Sequence, residues 1–79
     1  MLRGMNTYSI VLAPDAQAGM FTVTVPALPG CITQGRTRQG CIERAQEAIS
    51  VHVAGLQADG LPVPVETEHP ELIQVTVAA

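Results

Sequence analysis

The stretch FTVTVPALPGCITQG, residues 21–35, decides how the rest of this chain is read. Its first five residues alternate, with Phe21, Val23 and Val25 on one side of an extended chain and Thr22 and Thr24 on the other. A period of two marks a strand with one buried face. Pro26 ends that strand, because it has no N–H to give to a ladder. Pro29 then fixes its own φ, and Gly30 beside it is expected at a positive φ that other residues tolerate poorly. Residues 31–34 make a short third strand, closed by Gly35.

Upstream, residues 8–12 (YSIVL) form a β-branched and aromatic run that stops at Ala13-Pro14-Asp15, with Gly19 further on. Pro, Asp and Gly are turn residues, so this run and residues 20–25 read as a hairpin. Downstream, Thr37 is placed to cap a helix, its hydroxyl accepting from a backbone N–H one turn on. Cys41, Ile42, Ala45, Ala48, Ile49, Val53 and Leu56 then recur at spacings of three and four, which puts them on one helical stripe. Gly60 suits the left-handed position just past a helix end, and Pro62 and Pro64 prevent continuation. Residues 65–71 are an acidic connector. Residues 72–77 (LIQVTV) alternate again, with Ile73, Val75 and Val77 on one side and Gln74 and Thr76 on the other. The predicted fold is α+β, in the order β-β-β-α-β: a mainly antiparallel four-stranded sheet with one helix packed on one face. A single domain over residues 1–79 is expected, with Thr22, Thr24, Gln74 and Thr76 on the uncovered face.

Composition supports a folded chain. Apolar residues make up 47% and charged residues 14%, whereas disorder needs low hydrophobicity and high charge. A chain of 79 residues hides only about 60% of its unfolded surface, so the core is thin and self-association is expected. The net charge is −3, and the only cations are four Arg residues. A nucleic-acid module usually carries a basic face, so direct binding to nucleic acid is not expected and a basic protein partner is. Neither a membrane span nor a signal peptide is legible, and two cysteines make no disulfide framework. The expected location is the cytoplasm, with both thiols reduced.

The residues do not spell out an active site. Asp15 and Asp59 stand in turn and cap contexts, and Glu43 and Glu47 lie one turn apart on the wet side of the helix. Converging carboxylates, as two-metal nucleases require, are absent from the pattern. His52 and His69 have no neighbours at metal-ligand spacing. Cys31 and Cys41 read as small core residues at the strand-to-helix junction. No catalytic residue, metal or cofactor is therefore expected. Candidate partner-binding residues are the densest acids, Glu66, Glu68 and Glu71, and the uncharged sheet face of Thr22, Thr24, Gln74 and Thr76. Pro29, Gly30, Thr37 and Gly60 are expected to be structural turn and cap residues.

The segment 21–35 also resembles the HicB antitoxin family, whose members pass from a hairpin strand through "VPxLPGC" and a "TQG" strand into an amphipathic helix. The resemblance continues at Thr37, Ala45, Glu47, Ala48 and Ile49, and at Ala58-Asp59-Gly60-Leu61-Pro62-Val63-Pro64, and it covers about residues 7 to 65. It implies a degraded ribonuclease-H-like domain without the nuclease carboxylates. It also implies a partner, a small basic HicA-type toxin that cleaves messenger RNA. Many members carry a C-terminal DNA-binding module, and none is expected here. Gly40 stands three residues after Thr37, where the family usually has a Glu that completes a capping box. The alternative reading is a stand-alone HicB-like scaffold or regulatory binder without a toxin.

Overall fold

The computed structural model describes residues 6–78. The elements are β1 (Val11–Asp15), β2 (Met20–Thr24), β3 (Ile32–Gly35) and one long helix, α1 (Arg38–Ala58). The strands form an antiparallel meander in the order β1-β2-β3. Leu12 lies opposite Val23 and Val23 opposite Thr33, while Val11, Thr24 and Ile32 line up on the other face.

The alternation in β2 settles which face is buried. Val23 and Val25 are buried against α1, whose own buried residues are Cys41 and Ala45. Ile10, Leu12 and Phe21 pack around Val23, Cys41 and Ala45. A second cluster of Val25, Leu28 and Cys31 sits under the corner, covered by Tyr8, Ile10, Ala48, Ile49 and Val53. The core thus rests on small aliphatic and thiol side chains, as the scarcity of aromatics requires.

The corner consists of two consecutive turns. The Leu28 N–H donates to the Val25 carbonyl (2.9 Å) and the Cys31 N–H to the Leu28 carbonyl (3.0 Å). Pro29 occupies the second position of the latter turn and Gly30, at φ +86°, the third. That is the pattern of a type II turn, which demands positive φ where Gly30 stands. At the helix start, the Thr37 hydroxyl accepts from the Gly40 N–H (2.9 Å). At its end, the Gly60 N–H donates to Gln57 and the Leu61 N–H to Leu56, with Gly60 at φ +69°. These two bonds define a Schellman stop.

The expected fourth strand does not form. Beyond the helix, residues 61–78 make no ladder, and the sheet has three strands rather than four. Ile73, Val75 and Val77 are 71%, 79% and 74% exposed, and Leu72 is 94% exposed. The order is therefore β-β-β-α. Alternation shows that a segment is able to pair, but pairing also needs an edge within reach. The connector is fastened near the N-terminal end of β1 and residues 65–70 run along the Pro26-Ala27 corner, so the chain is led off the sheet. Smaller shifts follow the ladder itself. β1 runs through Pro14, which an edge strand accommodates because its missing N–H need not serve a neighbour. β3 is displaced by one residue, to Ile32–Gly35.

Candidate functional site

Two surfaces and one clamp surround the core. The first surface is the sheet face that α1 leaves uncovered. Cross-strand register places Val11, Thr24 and Ile32 in one row and Ala13, Thr22 and Gln34 in the next. Thr22 and Thr24 are half-buried, and Val11 and Ile32 are exposed. No charged residue falls in either row. Gln74 and Thr76, expected on this face, lie instead in the exposed terminal segment.

The second surface is a groove between α1 and the chain leading into β1, of about 840 Å³. Tyr8 and Ile10 form one wall, and Ile42, Ala45, Ile49 and Val53 form the other. Its remaining lining residues are small or amide side chains, and none carries a charge.

The clamp was not legible in the sequence. Both Glu66 carboxylate oxygens are engaged by Ser9, one by the backbone N–H (2.7 Å) and the other by the hydroxyl (2.6 Å). His69 Nδ1 approaches the second oxygen at 2.6 Å, and the Tyr8 hydroxyl donates to the Pro64 carbonyl. The Glu66 side chain is 3% exposed, although its cover is a thin layer of immediate neighbours rather than depth in the fold. The Ser9 hydroxyl and then the Ser9 N–H, with His69 behind them, hold its carboxyl well below the ordinary value, at about 2. Of the three connector acids expected at the surface, Glu68 and Glu71 are exposed, whereas Glu66 is turned into the chain. Ser9 and Glu66 are 57 residues apart, and nothing local in either segment announces their contact.

The remaining polar groups hold the fold. The Asp15 carboxylate accepts from the Gln17 and Ala18 N–H groups and closes the hairpin turn. Glu43 accepts from Gln39 one turn back on α1. Cys31 and Cys41 are free and buried, and burial pushes the Cys31 thiol up, away from the thiolate that would act as a nucleophile. Among the described residues, no three of His, Cys, Asp and Glu gather where they could hold a metal ion. No helix of the described residues is long and apolar enough to cross a membrane.

Comparison with known proteins places the chain in a family. A family model described as "HicB_like antitoxin of bacterial toxin-antitoxin system" matches residues 8–76. A UPF0150 protein of Thermoplasma acidophilum is 35% identical over 57 residues, covering 72% of this chain and 81% of that protein. A UPF0150 protein of Synechocystis is 34% identical over 59 residues, covering 75% of this chain and 73% of its own length. An uncharacterized 14.9 kDa protein from the rep-hol intergenic region of Haemophilus phage HP1 is 39% identical over 44 residues. That match spans 56% of this chain and only 33% of the phage protein.

Proposed function

The chain belongs to the HicB-like antitoxin family of bacterial toxin–antitoxin systems, and from that premise we propose that it binds and silences a HicA-type, RNA-cleaving toxin in the cytoplasm. The observation that carries the proposal is the family match over residues 8–76, which takes in every strand, the helix and the clamp. In this reading the chain is a binding protein and not an enzyme. The antitoxin works by occupying the toxin's RNA-binding surface.

Physical features of the molecule support this. HicA-type toxins are small and basic, and a chain of net charge −3 meets such a partner with favourable long-range electrostatics. The uncovered sheet face, with Thr22 and Thr24 at its centre, offers hydrogen-bonding hydroxyls beside exposed Val11 and Ile32. That mixture is typical of a protein interface whose core is depleted of charge. Glu68 and Glu71 supply exposed acids on the connector, while Glu66 serves the fold. Self-association of the chain belongs to the same proposal, because a core this thin leaves apolar surface over.

The deciding experiment is co-expression with any small basic protein found encoded beside this chain. Expression of that neighbour alone should arrest growth and degrade messenger RNA, and this chain should restore growth and co-purify with it. Continued arrest, or separate elution of the two proteins, would overturn the assignment of a HicA-type target.

A further inference from the structure

Leu72, Ile73, Val75 and Val77 form a run of exposed aliphatic side chains in a segment that forms no helix and joins no ladder of its own fold. Large apolar groups left in water are unfavourable for a thin-cored chain, which gains by covering them. The molecule also holds an unfilled apolar groove beside β1, against α1. We propose that the two complete each other across a two-fold axis: residues 72–77 of one copy lie in the groove of a second copy, and the exchange is reciprocal.

Dimensions agree. The helical wall of the groove runs from Ile42 to Gln57, which at 1.5 Å per residue is about 22 Å. Six extended residues at 3.3 Å each span about 20 Å. Chemistry agrees as well. Ile73, Val75 and Val77 project to one side of an extended chain and match Ile10, Ile42, Ile49 and Val53. Gln74 and Thr76 then project to the opposite side, that of the uncovered face with Thr22 and Thr24. β1 is an edge strand on this side of the sheet, and its free backbone groups give an incoming extended segment something to pair with.

The occupant is a second copy and not the segment's own chain because of where the chain is led. The Ser9–Glu66 clamp and the packing of residues 65–70 by Pro26 and Ala27 hold the connector, and beyond them none of residues 72–77 lines the groove of its own chain. The molecule accordingly extends 48 Å in one direction and 26 Å in the other two, with a radius of gyration of 14.7 Å against about 12 Å for a compact chain of this length. A basic partner is a poor occupant, since no charged side chain lines the groove. A segment and its complement at different places on one chain close at two copies only when a two-fold axis relates them, and otherwise propagate into rings or filaments, so closure as a dimer is part of the proposal.

Light scattering on the full chain should give about twice 8.3 kDa, and Val75→Asp should reduce it to the single-chain mass. A second arm uses conservative changes that leave the groove apolar. Val75→Cys and Ala54→Cys chains, oxidised after mixing, should give a covalent dimer that neither variant gives alone. A single-chain mass for the unaltered protein at high micromolar concentration would overturn the proposal, and would be the result if another protein were the natural occupant. A dimer that survives Val75→Asp, or no cross-link on mixing, would overturn it equally.

Discussion

Gly30 and Gly35 are needed for different reasons, and substitution separates them. At Gly30 the space is open but φ is +86°, so an added Cβ meets no neighbour and strains only its own backbone. Gly30→Ala should cost somewhat more than about 1 kcal/mol. At Gly35 the backbone is ordinary, but a Cβ would lie 2.7 Å from Cys41 Sγ and 2.9 Å from the Cys41 N. The strand and the helix start approach this closely only because nothing stands between them. Gly35→Ala should therefore cost about 1–3 kcal/mol, the range for overpacking. The double variant Gly35→Ala with Cys41→Ala should recover part of that loss, since it removes the sulfur but not the backbone contact. Denaturant midpoints of Gly35→Ala, Cys41→Ala and the double variant test this, and full additivity would show that the crowding is absent. Glu66 adds a pH dependence. Its carboxyl sits at about 2 when folded against 4.5 ordinarily. The stabilisation is complete above 4.5 and disappears as pH falls towards 2, because the unfolded chain takes up the proton first. Melting temperatures of the protein and of Glu66→Gln should converge on acidification through that window. A constant difference would mean that the Ser9 bonds do not depend on the charge.

The hairpin, β3 and α1 were legible in the sequence because local signals determine them. The alternation at residues 21–25, the turn residues Pro29 and Gly30, and the caps Thr37 and Gly60 each act over a few residues. Gly35 was readable as a strand end, but not as a close approach between β3 and α1, which depends on Cys41, six residues away on the helix. The terminal segment shows the limit. Residues 72–77 carry a strand pattern as clean as that of β2, yet β2 has neighbours on both sides and they have none within the chain. Glu66 was misread for a related reason: an acidic connector looks solvated until a hydroxyl 57 residues distant is brought to it. Where local signals do suffice, their energies are testable. The Thr37 hydroxyl holds the Gly40 N–H, and α1 has no acidic residue in its first turn to assist it. Thr37→Ala should cost about 1 kcal/mol. Thr37→Ser should cost less, as it keeps the acceptor. Equal losses from both would assign the effect to the Thr37 methyl group and not to the cap.

The molecule as a whole divides its surface by chemistry. Apolar side chains line the groove beside β1, uncharged hydroxyls centre the open sheet face, and Glu68 and Glu71 stand free on the connector. These surfaces suit different stages of one encounter. Exposed acids attract a basic protein from a distance, over about 10 Å at moderate salt, whereas an uncharged face decides how long it stays. The two contributions separate kinetically. Replacing Glu68 and Glu71 by Gln removes two of the seven acids without touching the Ser9–Glu66 clamp, so the fold should be unchanged. Association with a basic toxin should then slow several-fold at low salt, and the difference should vanish as salt is raised. Dissociation should hardly change. Thr22→Val with Thr24→Val should do the reverse, leaving the on-rate alone and raising the off-rate, because their hydroxyls act only at contact. Stopped-flow association at several salt concentrations measures both. If the Gln variant associates as fast as the unaltered protein at every salt concentration, the connector lies outside the encounter surface. If the Val variant dissociates no faster, the open sheet face is not where the toxin rests.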